Sequence, residues 1–177
     1  MQHIEIDGLL FERMIDDDQI QKRVRLMGID ISMKYEDKNP VFIGVLNGCF
    51  MFMADLMRQI HISCEMSFIK IASYDGMESS QVRELIGLGI DLRGRHVIIV
   101  EDIVDTGNSL KHTIAGLEKL GVASISICTM LLKPSCLQHD FDNIMYVGFE
   151  VDKEFVVGYG LDYNEQCRNL PDIYRKL

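Results

Sequence analysis

Three acidic residues near the middle of the chain stand close enough in sequence to act on one ligand. Glu101 and Asp102 follow the apolar run VIIV, and Asp105 comes three residues later, at the start of a turn. Such an apolar run is typical of a buried parallel strand, so the acids should emerge at its carboxyl end. Adjacent carboxylates repel each other unless hydroxyl groups or a cation absorb their charge. The pattern therefore indicates a site that holds hydroxyls or a metal ion.

The four residues after Asp105 have the composition of a phosphate-binding turn. Thr106, Gly107, Asn108 and Ser109 offer small side chains, hydroxyls and free backbone N–H groups where a helix should begin. The N-terminus of a helix attracts anions, and a turn of this kind leaves its backbone N–H groups accessible. Together with the acids, it indicates a phosphorylated sugar as ligand. An ordinary strand-to-helix turn, with Asp105 as its N-cap, is the alternative.

Strand and helix patterns alternate along the chain and predict an α/β fold for residues 1–177 as a single domain. We expect a mainly parallel central sheet flanked by helices, with ligands at the carboxyl ends of the strands. The pattern also predicts a strand over residues 4–10, a helix starting at residues 16–18 and a long hairpin ending near residues 83–88. The segment FVVGYGLD, which begins at Phe155, predicts the last strand.

Composition restricts the classes of function. The formal charge of −9 argues against nonspecific nucleic-acid binding, which needs a basic surface. No apolar run is long enough to span a membrane, and the N-terminal residues lack a signal pattern. The five cysteines form no CxxC pair, which favours free thiols in a reducing compartment. We therefore expect a cytoplasmic protein that binds neither nucleic acid nor membranes.

Residues 97–110, VIIVEDIVDTGNSL, resemble the phosphoribosyl-pyrophosphate (PRPP) signature of the type I phosphoribosyltransferases. Further stretches over roughly residues 8–170 resemble the hypoxanthine (hypoxanthine-guanine) phosphoribosyltransferases. The resemblance implies a small hood and a flexible hairpin lid beside the central sheet. It also implies a Mg²⁺-dependent purine-salvage enzyme, in which N9 of a 6-oxopurine attacks C1 of PRPP and pyrophosphate leaves. Hypoxanthine would give IMP, and guanine GMP.

On the PRPP side, the resemblance assigns a role to each matching residue. Glu101 and Asp102 would lie beside the ribose hydroxyls and Mg²⁺, and Asp105 would be the general base that handles the proton on purine N7. The turn at residues 106–109 would hold the 5-phosphate. The pyrophosphate group would be bound by Leu46, Asn47, Gly48 and Arg168. Relatives often have a non-proline cis peptide and a basic middle residue in the 46–48 loop, so Asn47 removes one charge contact.

On the purine side, the resemblance makes Lys133 the donor to purine O6 and places Phe155 over the purine ring. The backbone at Val156 would read the base edge, and Asp162 would line the purine site and contact Mg²⁺ together with Glu101 and Asp102. Ser73 and Tyr74 would belong to the lid that excludes water. The family usually forms homodimers or homotetramers.

Each of these residues also has an ordinary structural interpretation. Glu101 and Asp102 could be a pair of solvated acids at a strand end. Lys133 could be a solvated loop residue, and Phe155 and Val156 could be buried strand residues. Two other functions fit the same PRPP motif. One is transfer to another base, such as xanthine, adenine or orotate. The other is a regulatory protein that senses PRPP or nucleotides without catalysis.

Overall fold

The computed structural model describes residues 3–72, 83–86 and 89–177. Within these ranges it contains ten strands and three α-helices. In chain order they are β1 (His3–Ile6), β2 (Leu9–Ile15), α1 (Asp17–Lys34), β3 (Val41–Leu46), α2 (Phe50–Met57), β4 (Glu65–Ala72), β5 (Arg83–Ile86), β6 (His96–Val104), α3 (Asn108–Glu118), β7 (Ser124–Leu132), β8 (Ile144–Glu150), β9 (Val156–Val157) and β10 (Ile173–Lys176).

The central sheet has the strand order β5-β4-β3-β6-β7-β8. Five neighbouring strands, β4, β3, β6, β7 and β8, run parallel, and β5 pairs antiparallel with β4 at one edge. This confirms the predicted parallel sheet and the antiparallel pair. After β3 the chain moves toward one edge of the sheet, whereas after β6 it moves toward the other. The crevice between β3 and β6 is thus a topological switch point, where open α/β sheets bind their ligands.

Helices cover both faces of this sheet. Helix α1 begins with a capping box, in which the Asp16 side chain accepts from the Gln19 N–H and the Gln19 side chain accepts from the Asp16 N–H. Its apolar residues recur every three or four positions, so they bury one stripe against α2 and the sheet. Helix α3 packs on the opposite face through Leu110 and Leu117. The strands are therefore held rigidly, and their carboxyl ends have fixed positions.

A second, antiparallel sheet with the order β1-β2-β10-β9 joins the two ends of the chain and forms the expected hood. Phe11, Val157 and Tyr174 make its small core. Two strand predictions are wrong here. Residues 4–10 form a hairpin, because Asp7 and Gly8 adopt the left-handed region (φ 50° and 77°) and reverse the chain.

The segment FVVGYGLD is likewise not one strand. Only Val156 and Val157 form a strand, because the backbone turns through positive φ values at Gly158 and Gly160. The last strand is β10, which pairs with β2 and β9. Ser73 and Tyr74, predicted for the lid, lie outside the described residues. Among the helices in the described ranges, none combines the length and apolar character needed to cross a bilayer.

Candidate active site

Three distant segments meet at the switch point between β3 and β6. The peptide bond between Leu46 and Asn47 is cis, as the resemblance implies. A Cβ on the next residue, Gly48, would overlap the carboxylate of Asp102, and a Cβ on Gly160 would overlap the carbonyl oxygen of Gly48. Both glycines are therefore required by close packing, and Gly160 also needs its φ of 99°. The loop after β3 is sandwiched between the acidic pair and the C-terminal segment.

The acidic pair near the end of β6 is shielded from water, with Glu101 buried and Asp102 partly exposed. Glu101 is only 6% exposed, and burial together with the neighbouring Asp102 raises the pKa of its carboxyl well above the ordinary value. Burial raises the pKa of Asp102 to about 6, an effect that the Ile103 N–H and the charge of Arg168 partly oppose. A solvated acidic pair is therefore the wrong interpretation. Carboxylates in such a place bind cations or hydroxyl donors with a gain in free energy.

Arg168 and Asp162, both predicted for this site, lie together beside Asp102. The Nη2 atom of Arg168 is 2.8 Å from Asp162 Oδ1, and its Nη1 donates to the Gly160 carbonyl at 2.9 Å. Glu165, which sequence reasoning missed, holds the other side of this pair. Its Oε2 lies 3.2 Å from Arg168 Nη2, and its N–H donates to Asp162 Oδ2 at 2.9 Å. The bend at residues 158–160 is what brings this pair to the switch point.

Asp105 and Lys133 form an ion pair, with 2.7 Å between Oδ2 and Nζ. Strand register explains it. Val104 on β6 is paired with Leu132 on β7, so the next residue of each strand leaves the sheet at the same level. Lys133 is only 8% exposed, which excludes the solvated-loop interpretation. The N-cap interpretation of Asp105 is wrong as well, because Gly107 is the N-cap residue of α3. The side chain that accepts from the first N–H of this helix, that of Asn108, is Thr106, through Oγ1 at 3.4 Å.

Residues 106–109, predicted to bind phosphate and called the phosphate loop below, lead into α3 with Gly107 in the left-handed region at φ 81°. A Cβ at this glycine would lie 2.5 Å from the Phe141 ring, so a side chain has neither the conformation nor the space. The polar atoms of the Asn108 side chain are engaged by Gln138 and His139. The loop therefore offers a ligand chiefly its backbone N–H groups and the positive end of α3.

The aromatic face predicted for the base is exposed at the edge of the hood. Phe155 is 46% exposed, which excludes the buried-strand interpretation for this residue, whereas Val156 is buried within β9. The Phe155 ring packs edge-on against Tyr163 at 5.9 Å and tilted against Phe11 at 6.4 Å. These two rings restrict the orientation of Phe155, and nearly half of its surface stays exposed to a ligand. Sequence reasoning missed both, since neither is near Phe155 along the chain.

Comparison with known proteins agrees with this geometry. The family described as phosphoribosyl transferase domain matches residues 14–164. The chain is 41% identical over 162 residues to the hypoxanthine-guanine phosphoribosyltransferase of Bacillus subtilis, an alignment that covers 90% of this chain and 89% of that protein. This chain belongs to the phosphoribosyltransferase family.

Further relatives place this phosphoribosyltransferase with the hypoxanthine group. It is 41% identical over 166 residues to the hypoxanthine phosphoribosyltransferase of Escherichia coli K12, with 92% of this chain and 93% of that protein covered. A crystal structure of a Bacillus anthracis hypoxanthine-guanine phosphoribosyltransferase superposes with a TM-score of 0.88 at 34% identity, covering 94% and 98% of the chains. The chain spans 25% of the length of the bifunctional TilS/HprT proteins of Listeria monocytogenes, to which it is 37% identical over 162 residues.

In this phosphoribosyltransferase the acids alone do not make a metal cage. Across the described ranges, no group of three or more His, Cys, Asp or Glu side chains is arranged to hold a metal ion. Asp162 already pairs with Arg168, and Glu101 and Asp102 are consecutive on one strand. A cation at this place would therefore need most of its ligands from a substrate and from water.

Cys49 is a further residue of the site that sequence reasoning missed. It is fully buried behind the 46–48 loop, and burial together with the charges of Asp102 and Glu101 raises the pKa of its thiol. The thiol is thus kept neutral, and it packs beside the acids as a small apolar group. Its position directly after Asn47 and Gly48 was the only signal in the sequence.

Proposed function

We propose that this phosphoribosyltransferase transfers the 5-phosphoribosyl group of PRPP to N9 of hypoxanthine, giving IMP and pyrophosphate in purine salvage. Guanine would give GMP in the same way. The observation that carries this proposal is the 2.7 Å pair of Asp105 and Lys133 directly beside the phosphate loop. One group of the pair accepts a proton and the other donates hydrogen bonds, next to the place where a sugar phosphate would be held.

The pair matches one edge of a 6-oxopurine. O6 and N7 are neighbours on that edge, as they are in the major groove of a G·C pair. Lys133 donates to O6, while the Asp105 carboxylate accepts the proton on N7 as N9 attacks C1. Adenine presents an amino group where O6 would be, and an ammonium group cannot accept from it. The same side chains would therefore discriminate strongly against adenine, because a polar group is left unpaired.

Phe155 supplies the base with a stacking surface. Its side chain is partly exposed, although Phe155 directly precedes the buried strand β9. Stacking of a base on an aromatic side chain contributes about 1–3 kcal/mol without regard to the substituents of the base. The finer choice between hypoxanthine and guanine would fall to the backbone at Val156.

The remaining residues would hold PRPP. Backbone N–H groups of the phosphate loop bind the 5-phosphate, and the buried carboxylates of Glu101 and Asp102 accept hydrogen bonds from the ribose hydroxyls. The 46–48 loop and Arg168 face the pyrophosphate. As pyrophosphate leaves, positive charge develops on the ribose ring, and the carboxylates at its edge stabilise that charge.

Mg²⁺ fits this donor set. Glu101 and Asp102 are carboxylates whose pKa values are raised by burial, so a nearby cation would favour their charged forms. Mg²⁺ is usually held by one or two protein carboxylates, with substrate phosphates and water completing its octahedron. We propose Glu101, Asp102 and Asp162 as the residues nearest the ion. When bound, Mg²⁺ neutralises charge on the leaving pyrophosphate.

We also propose a lid at Ser73 and Tyr74, a homodimeric or homotetrameric assembly, and a cytoplasmic location. The acidic composition favours small-molecule partners over nucleic acid.

The test is to incubate the protein with PRPP, Mg²⁺ and hypoxanthine and to quantify IMP and pyrophosphate. We expect both products in equal amounts, and neither when PRPP is omitted. Xanthine as the preferred base would keep the reaction and contradict the role of Lys133. A folded protein that binds PRPP and makes no nucleotide from any purine would support the regulatory alternative.

A further inference from the structure

The phosphate loop is contacted by a neighbouring segment that has no role in the reaction proposed above. This segment, residues 137–141, belongs to the connection between β7 and β8. Gln138 donates its backbone N–H to the carbonyl of Thr106 at 3.0 Å, and the Phe141 ring lies against Gly107. Two consecutive residues of the loop, Thr106 and Gly107, are thus contacted by one short stretch of chain.

Side chains complete these contacts in a directed network. Asn108 Nδ2 donates to Gln138 Oε1 at 3.1 Å, and Asn108 Oδ1 lies 2.7 Å from His139 Nε2. Lys111 Nζ lies 3.4 Å from the other ring nitrogen of His139. Because an ammonium group can only donate, Nδ1 accepts and Nε2 carries the proton, which it gives to Asn108 Oδ1. Both polar atoms of the Asn108 side chain therefore have hydrogen-bond partners in the 137–141 segment.

We propose that residues 137–141 form a brace for the phosphate loop, with Gln138 and His139 as positioning residues for the 5-phosphate of PRPP. Neither residue touches the ligand in this account. By tying Asn108 back, they keep its side chain out of the anion site and fix the N–H groups at the start of α3. A preorganised loop binds phosphate more tightly, because its ordering cost is met in the folded protein.

The brace also links the two halves of the site. It lies four residues beyond Lys133 along the same connection, and a 3-10 turn over Pro134–Cys136 stiffens the path between them. The main-chain bond from Gln138 to Thr106 and the ion pair from Lys133 to Asp105 thus attach this connection to adjacent residues of the β6–α3 turn. The inference rests on the proposed function for the identity of the anion.

The experiment compares wild type with His139→Ala, His139→Gln and His112→Ala. Removing the His139 bond to Asn108 should raise KM for PRPP roughly 3- to 10-fold, with kcat and KM for hypoxanthine within about twofold of wild type. Gln can place an Nε2–H near the same position, so His139→Gln should restore most of the affinity. His112 is an exposed histidine of α3, the helix that contains Asn108, and its replacement should change none of these constants.

Binding of ribose 5-phosphate, measured by calorimetry, separates this inference from the proposed function. We expect His139→Ala to bind it roughly 3- to 10-fold more weakly than wild type, whether or not IMP is formed. Equal affinities of wild type and His139→Ala would overturn the brace. A fall in kcat with similar rises in both KM values would overturn it as well. Absence of IMP formation by wild type would instead overturn the proposed function. If His139→Ala does not fold, Gln138→Ala provides the same comparison.

Discussion

The two ends of the site are built in opposite ways. At the proposed phosphate end, residues 106–109 form one uninterrupted turn whose backbone N–H groups would bind the ligand. At the proposed base end, Asp105, Lys133 and Phe155 come from three separate connections between elements and would act through their side chains. The phosphate end should therefore tolerate side-chain changes that keep its backbone in place. At the base end, single substitutions should have large effects that depend on the substrate.

The largest loss of activity is expected for Asp105→Asn, at the base end. Asn keeps the shape and can still accept from Lys133, but it cannot take a proton from N7. We expect kcat to fall by roughly 10²–10⁴ while the fold is retained. Steady-state kinetics with circular dichroism as a check on folding measures this. A variant within a few-fold of wild type would remove Asp105 from the mechanism.

Gly48→Ala changes the loop that packs against the acidic pair. It forces a methyl group into the carboxylate of Asp102. Displacing a substrate-binding group by about 1 Å can lower the rate 10²-fold, so we expect a loss of about that size in kcat/KM for PRPP.

Gly116→Ala is the matched control, because Gly116 is an α3 residue with no atom within 4 Å of its added Cβ. It should keep full activity and raise the free energy of unfolding by about 0.5–1 kcal/mol. Equal activity of the two variants would contradict the packing described for the 46–48 loop.

Phe155→Ala sharpens the contrast at the base end. Loss of about 1–3 kcal/mol of stacking should raise KM for hypoxanthine roughly 5- to 150-fold, with KM for PRPP nearly unchanged. Phe155→Tyr keeps the ring and should behave like wild type. A parallel rise in both KM values would instead indicate that Phe155 supports the hood as a whole.

The smallest effect is a pH dependence at Asp102. Its pKa is raised from 3.8 to about 6 on folding, so the folded protein binds more protons between these values. The stabilising contribution is full below the unfolded pKa and is lost as the pH rises through about 6. Affinity for PRPP with Mg²⁺ should instead increase as the pH rises through about 6, because the ionised carboxylate binds better.

Asp102→Asn should therefore raise the melting temperature at about pH 8 and lower the affinity for PRPP, since a neutral amide has no desolvated charge. Thermal unfolding of wild type and variant at about pH 5 and pH 8 checks this. A variant less stable than wild type at the higher pH would contradict the burial argument.

The sequence predicted the phosphate end better than the base end for a physical reason. The phosphate loop is local, so spacing alone places its acids and N–H groups at the end of β6. The contact between Asp105 and Lys133 depends on β6 lying beside β7 in one register, which resemblance could imply but periodicity could not. The C-terminal segment was misjudged because FVVGYGLD has the apolar character of a strand while two glycines bend it. The contacts of Asn108 to Gln138 and His139 left no pattern in the sequence.

The most direct test of the whole account is the ratio of kcat/KM for hypoxanthine to that for adenine, measured with saturating PRPP and Mg²⁺. The Asp105–Lys133 pair predicts a ratio of at least about 10², because adenine leaves the buried ammonium group without an acceptor. A ratio within about tenfold of unity would contradict the base end as described. It would mean that some other group reads the purine edge.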